Sequence, residues 1–343
     1  MVRSMGRRPG RSRPGGVTIS DVAEAAGVSR ATVSRVVNER PSVQPEIAER
    51  VRAVIVELGY NPSRVAQSLS LGKTQTVGVV VPDLGNPTFQ SILHGVNQAA
   101  ATAGYRVLVA DSEESADEER ALVEDVRRRT DAVILCSPRM RPSDLDAVLP
   151  QIKPVVVVNR DQPAHATRVV VDYAGGISAM CRHLISLGHR RILHLDGPVG
   201  SNAQAARALG LATVAFEHPE VSIQRVPCGS TIDAGYAAYE AARGSGATAV
   251  IGFNDLVALG LLGHAREEGW RVPEDVSIAG FDDIPFARFA TPALTTMRVA
   301  FESVGEAAWN ALQSQLRGAV DADLRSFTPV VVDRDSTGPV RAG

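Results

Sequence analysis

The 343-residue sequence has only three cysteines, Cys136, Cys181 and Cys228, scattered and odd in number. That excludes a disulfide scaffold and fits a reducing compartment, the cytoplasm. No run approaches the ~18 apolar residues that a membrane-spanning helix needs, and the longest candidates, Val77–Val81 and Val155–Val158, are strand-sized. The arginines near the N-terminus are not followed by an apolar stretch, so no signal peptide is expected. Catalytic signatures are missing as well. The stretch LGKT at 71–74 is like the end of a phosphate-binding loop, but Gln67 stands where the upstream glycine is required. No Gly-x-Gly-x-x-Gly follows a strand, and neither Gly-x-Ser-x-Gly nor His-Glu-x-x-His occurs. The seven histidines are spread along the chain, with His189 and His194 read as structural, so no metal and no cofactor are predicted. Lysine is nearly absent: Lys73 and Lys153 stand against a background of arginine, a bias from which no function follows.

What remains is the composition of a soluble globular protein, 44% hydrophobic and 22% charged, long enough for two or three compact units. The net charge of −2 conceals an asymmetry. Residues 1–73 carry 12 basic against 6 acidic side chains, and the remainder 24 against 32. A basic head on an acidic body predicts a polyanion partner for the head alone.

Residues 1–16 are rich in Arg, Gly and Pro without apolar period and read as a disordered basic arm. The arm is either an extension without a role or a source of extra phosphate contacts. Residues 17–59 read as a small all-helical unit. Thr18 can cap a first helix with Asp21 near its N-terminal dipole, and Val22, Ala25 and Ala26 form its apolar face. Gly27 permits a left-handed turn, Ser29 caps a second helix over Ala31 to Asn38, and Val28 and Val33 fill the gap between the two. Pro45 opens a third helix that Gly59 stops. In the segment from Thr18 to Asn38, TISDVAEAAGVSRATVSRVVN, this is a helix-turn-helix pattern. Its second helix would present Arg30, Ala31 and Arg35 outward into a major groove, where arginine can bridge guanine O6 and N7. Thr32 and Ser34 suit phosphate contact or helix packing.

Residues 60–73 read as a hinge whose Arg64–Ser70 stretch is too short to be a stable helix in isolation. From residue 74 to 338, strand-like runs (Val77–Val81, Arg106–Ala110, Ala132–Leu135, Val155–Val158, Arg191–Leu195, Ala249–Phe253, Val276–Ala279) alternate with amphipathic helices. One such helix starts at Pro87 with Phe89, Ile92, Leu93, Val96 and Ala100 on one face, and another ends at Gly188. Continuous apolar strands predict parallel sheets covered on both faces, and the length predicts two α/β lobes with a ligand crevice between them at the strand C-termini. Residues 339–343 are a tail. Cys136 reads as a small core residue.

The helix-turn-helix segment, the YNPSRVAQSL stretch at 60–69, LGHRRI at 187–192, FNDLVALG at 253–260, VPEDVSIAGFDD at 272–283 and PALTT at 292–296 occur in this order. Together they resemble the lactose/galactose repressor family of bacterial transcription regulators, over nearly the whole chain from Thr18 to Thr337. The resemblance implies an α/β effector core of two doubly wound, periplasmic-binding-protein-like lobes preceded by an all-α helix-turn-helix headpiece. It implies a cytoplasmic, nucleoid-associated homodimeric repressor rather than an enzyme, with operator DNA and a small hydroxyl-rich effector, a sugar or sugar derivative, as partners. DNA contact is implied for Thr18, Ser29, Arg30, Ala31, Thr32, Ser34, Arg35, Asn38, Ala66 and Leu69, the last as an apolar wedge in the minor groove. Effector contact is implied for Phe89, Asn159, Arg160, Arg207, Asn254 and Asp282. On their own chemistry some of these residues have second readings: Asp282 and Asp283 as helix caps, Arg160 as an interlobe salt bridge, and Phe89 as core. Two departures stand out. Gln44 replaces the usual Ser or Thr ahead of the third helix, and Ser230 stands where several members carry an aromatic, so no one member's sugar preference transfers. No leucine heptad follows Thr337, so a tetramerising coiled coil is not expected. An exported sugar-binding protein would lack the head, and a sugar-modifying enzyme would need a nucleophile or acid/base pair that the cleft candidates do not supply.

Overall fold

The structure, a computed structural model, describes residues 17–38, 42–61, 72–160, 166–319 and 324–340. The chain divides after Thr74 into two compact units. In the first, helix α1 (Ile19–Ala26) opens on a reciprocal cap. The Thr18 amide donates to Asp21 Oδ2 at 2.8 Å and the Asp21 amide to Thr18 Oγ1 at 3.4 Å. Gly27, with φ 62°, closes the helix in the left-handed conformation that glycine adopts without penalty. Ser29 Oγ then accepts the Thr32 amide at 3.1 Å at the start of α2 (Arg30–Val37). Pro45 begins α3 (Pro45–Leu58), and Gln44 before it makes no side-chain cap. Val22, Ala23, Ala26, Val33, Val36, Ala48 and Val51 form the small core. The first-helix face is therefore Val22, Ala23 and Ala26. Ala25, assigned to that face from the sequence, is exposed, because the 100° step per residue carries it to the opposite side.

The second unit is built on two parallel sheets. The first lobe has strands β1 (Thr76–Val81), β2 (Arg106–Asp111), β3 (Ala132–Cys136), β4 (Val155–Val158), β5 (Thr167–Val171) and β11 (Leu324–Phe327). They lie in the order β11-β5-β4-β3-β1-β2, all parallel. Helices α4 (Pro87–Thr102), α5 (Ala116–Arg129), α6 (Pro142–Val148) and α12 (Phe301–Leu316) cover it. The second lobe has β6 (Arg191–Asp196), β7 (Ser222–Pro227), β8 (Ala249–Ile251) and β9 (Ser277–Ala279) in the order β7-β6-β8-β9. Its helices are α7 (Tyr173–Ser186), α8 (Asn202–Glu217), α9 (Ile232–Ala237), α10 (Tyr239–Gly244) and α11 (Asp255–Glu267). An antiparallel ribbon of β10 (Thr296–Arg298) and β12 (Val330–Val332) completes the unit. The chain passes between lobes three times, after β5, after β10 and after β11, so each lobe is assembled from separate chain segments. The sequence-predicted strands are all present, shifted by a residue or two at their ends. Those it omitted are β5, β10, β12 and the sheet edges β7 and β11.

Helices cross at glycine in both lobes. A Cβ on Gly95 of α4 would lie 2.0 Å from the Glu302 carbonyl oxygen, and one on Gly305 of α12 would lie 2.1 Å from that of Ile92. On the other lobe, a Cβ on Gly235 of α9 or Gly260 of α11 would come within 2.0 Å of the Val257 or Ile232 carbonyl oxygen. Backbone cannot yield to such contacts without moving a helix, so these positions fix the interhelical distance. Gly263, one turn along α11, is exposed and meets nothing within 4 Å. Gly260→Ala is therefore expected to destabilise the chain by roughly 1–3 kcal/mol through overpacking. Gly263→Ala is expected to stabilise it by up to about 1 kcal/mol through helix propensity. Urea midpoints of the two variants check this, and equal shifts of the same sign would contradict it.

Candidate functional site

On α2 the side chains sort by exposure. Arg30, Ala31 and Arg35 are exposed and share a face, since they stand at i, i+1 and i+5, while Val33 and Val36 point to the core. Among the described residues no carboxylate pairs with either arginine. Thr32 and Ser34 are half-buried and bonded within the helix. Thr32 Oγ1 and Ser29 Oγ lie 2.9 Å apart, and Asn38 Nδ2 donates to Ser34 Oγ at 3.3 Å. Thr18, Ser29 and Asn38 stand at helix ends, the first two exposed, and Arg30, Ala31 and Arg35 form the exposed surface of α2. Ala66 and Leu69, with most of the expected hinge, lie outside the described residues.

In the second unit, Arg207 of α8 is fully buried. Its guanidinium carbon lies 4.5 Å from the ring centroid of Tyr173, 4.5 Å from that of Phe253 and 4.1 Å from that of Phe281. Nη2 is 3.9 Å from Asp282 Oδ1, while Nε and Nη1 have no hydrogen-bond partner. Three aromatic faces stabilise the charge but leave its N–H donors unused. Asp282 follows β9 in a loop where its φ is 115°, and its Oδ2 accepts the Thr88 hydroxyl at 3.0 Å from the first turn of α4. This bond joins the two lobes. Burial pushes the Asp282 carboxyl up to about 7, with the Arg207 charge and the Thr88 hydrogen bond acting against it. Burial likewise lowers Arg207 and raises the Tyr173 phenol.

The remaining candidates extend this cluster. Asn159 Nδ2 donates to the Tyr173 hydroxyl at 3.0 Å, and Asn159 Oδ1 is buried without a partner. Asn254, beside Phe253, caps α11 through Oδ1, which accepts the Val257 amide at 2.9 Å, and Nδ2 donates to the Ser230 carbonyl oxygen at 2.9 Å. Phe89 is buried in the apolar core with Ile92 and Val96. The structure thus brings Asn159, Arg207, Asn254 and Asp282 together around Tyr173, Phe253 and Phe281. Sequence reading missed those three rings and Thr88. The FNDLVALG and GFDD motifs contain two of the rings, Phe253 and Phe281, but nothing in a linear pattern says that three rings converge on one arginine.

Two alternatives are corrected. Arg160 forms no interlobe salt bridge: Nη1 and Nη2 donate to the Pro138 and Met140 carbonyl oxygens at 3.1 Å each, both in its own lobe. Neither Asp282 nor Asp283 caps a helix. Asp283 pairs with Arg298 and Arg334, and the carboxylate below, Asp255, is fully buried, accepting the Ile284 amide at 2.8 Å and the Thr296 hydroxyl. His194 is buried with Nδ1 2.7 Å from Asp196 Oδ1, and burial lowers its pKa. Cys136 is buried at the end of β3, and desolvation pushes its thiol up to about 12. Among the described residues no helix is long and apolar enough to cross a membrane.

Residues 18–63 match the family model described as bacterial regulatory proteins, lacI family, and residues 181–337 match the periplasmic binding protein-like domain. The HTH-type transcriptional regulator GalS of Salmonella typhimurium is 33% identical over 93% of this chain and 96% of its own length. A solved structure of the lac repressor dimer bound to operator and the anti-inducer ONPF superposes with a TM-score of 0.86 at 27% identity, covering 94% of this chain and all of that one. A complex of the transcriptional regulator CelR with cellobiose gives 0.68 at 29% identity over 93% and 99% of the two chains. Likeness of this extent spans the head and both lobes at once, and the chain belongs to the lacI family of bacterial regulatory proteins, DNA-binding transcription regulators under small-molecule control.

Proposed function

We propose that the protein represses transcription as a cytoplasmic homodimer that reads a near-palindromic operator with α2 and releases or tightens its grip when a carbohydrate binds between the lobes. One observation carries this reading. Among the described residues, the same chain presents an unpaired Arg30–Ala31–Arg35 surface on a capped helix and holds a buried arginine whose Nε and Nη1 have no partner beside a buried carboxylate that bonds across to the other lobe. The first matches major-groove readout, where a single helix covers only a few base pairs and a dimer doubles them. The second matches a polyol, because adjacent hydroxyls can accept from Arg207 while donating to Asp282. The relatives agree on both counts: the lac repressor structure contains operator DNA, and the CelR structure contains a disaccharide. Arg207, Asn159, Asn254 and Asp282 serve here as binding groups, not as catalysts.

Calorimetric titration with a sugar panel, coupled to product analysis, tests the reading. A bound sugar recovered unchanged supports it, and turnover would replace the regulator with an enzyme. Arg35→Ala is expected to cost about 1–3 kcal/mol on operator and to relax preference at one base pair per half-site. Equal loss on operator and random DNA, measured by fluorescence anisotropy, would reduce Arg35 to a phosphate contact. Asp282→Asn is expected to weaken the sugar while leaving operator affinity without sugar intact, and undiminished sugar binding in the folded variant would remove Asp282 from the site.

The raised Asp282 carboxyl also makes stability depend on pH. Its folded value of about 7 lies above the ordinary carboxylate value, so between roughly pH 4 and pH 7 the folded chain keeps a proton that the unfolded chain has released. Its contribution to stability therefore falls as pH rises through that window and levels off above about 7. From pH 5 to pH 8, Asp282→Asn should gain on the wild type by up to about 3 kcal/mol in denaturant unfolding. A difference that is flat with pH would contradict the assignment.

A further inference from the structure

A cavity of about 740 Å³ opens between the lobes beside the Arg207 cluster. Among the described residues its walls carry Arg139, Arg141 and Arg160 from the loops after β3 and β4, and Arg225 from β7, against a single acid, Asp196. We propose that this cavity takes an anionic oxyacid group, phosphate or carboxylate, carried by the effector. The proposal rests on the carbohydrate reading above and specifies its chemistry.

The arginines are not equivalent. Arg139 is held by Glu114, and Arg225 by Asp196 at 2.7 Å. Arg141 is exposed and pairs with Asp144 on its own turn. Arg160 is buried in the wall, and its two hydrogen bonds go to main-chain carbonyls. Among the described residues it has no carboxylate in ion-pair range. Glu119, whose charge it feels from behind the wall, accepts the Arg139 and Met140 amides at 2.7 Å through a single oxygen. A buried cation with no carboxylate in ion-pair range among the described residues, at the edge of a cavity this large, is a site for an anion.

A second, independent feature points the same way. Gln204 lines the cavity and is more than nine-tenths buried. Its Oε1 accepts the Gly197 amide at 2.8 Å, which fixes the side chain, while Nε2 has no partner. Gln204 lies in the first turn of the 16-residue helix α8, whose leading amides face the same space with the positive end of the helix dipole. The lining thus combines a cation with no carboxylate in ion-pair range among the described residues and an amide N–H group with no hydrogen-bond partner. Among the described residues, Asp196, tied to Arg225 and His194, is the one opposing charge in the lining.

The full-length chain is titrated calorimetrically with inorganic phosphate and, separately, acetate, with sodium chloride balancing the ionic strength. Saturable binding of phosphate, of acetate or of both is expected in the wild type, and the tighter of the two names the group. Arg160→Gln should weaken it at least tenfold. Arg141→Ala, which removes an exposed side chain and leaves the fold alone, should weaken it severalfold. Arg128→Ala, on the exposed face of α5 and away from the cavity, should leave it unchanged. No binding beyond chloride, or binding that both cavity variants leave intact, would overturn the proposal. The two readings fail separately. A neutral sugar bound through Asp282 with no phosphate or acetate binding removes the anion site and keeps the carbohydrate effector. Anion binding lost in Arg160→Gln, with no sugar bound, supports the anion site and removes the carbohydrate.

Discussion

A guanidinium with no exposure to water governs the second unit. Taking such a charge out of solvent costs several kcal/mol even after relaxation, and Asp282 at 3.9 Å is too distant to offset it by a hydrogen bond. The compensation comes from three rings, and each ring needs room. A Cβ on Gly197 would meet Phe253 at 2.3 Å, and one on Gly176 would meet Phe281 at 2.8 Å. Glycines at the end of β6 and in α7 thus seat the rings, the rings hold Arg207, and Arg207 is left with two unsatisfied donors. In the proposed reading the folded chain carries that deficit until a ligand supplies acceptors, and the site would favour hydroxyl-bearing molecules over apolar ones.

The same cluster connects recognition to movement. Thr88 belongs to the first lobe and Asp282 to the second, and their hydrogen bond closes one on the other. In the proposed reading, a ligand hydroxyl that donates to Asp282 would compete with Thr88 or add to it, and so would differ in affinity between lobe arrangements. Such a difference is what a population shift requires.

How much was legible in the sequence follows the physics of each element. The helix-turn-helix was readable because its caps are local: Thr18, Gly27 and Ser29 act within three residues of themselves, and the structure places them as the spacing says. Buried parallel strands such as Val155–Val158 were readable because both faces are apolar. The edge strands β7 and β11 were not, since exposed Arg, Gln and Ser mask the period that burial would impose. Ala25 was misplaced because the alanines at 23, 25 and 26 are chemically alike and do not themselves mark the phase of the helix. In the site, family motifs supplied Arg207, Asn254 and Asp282, while Thr88, Tyr173, Phe253 and Phe281 are defined by contacts between distant segments. Arg160 was named, but its setting among carbonyls rather than carboxylates is a fact of packing.

The central claim is that the α2 surface and the Arg207–Asp282 cleft are energetically coupled in one chain. Linkage makes this measurable without knowing the mechanism: the factor by which effector changes operator affinity must equal the factor by which operator changes effector affinity. Both are obtained by titrating the full-length protein with each ligand in the presence and absence of the other. Equal factors, each differing from one by about fivefold or more, are the expected result. Factors of one in both directions would show two independent binding modules and contradict the account.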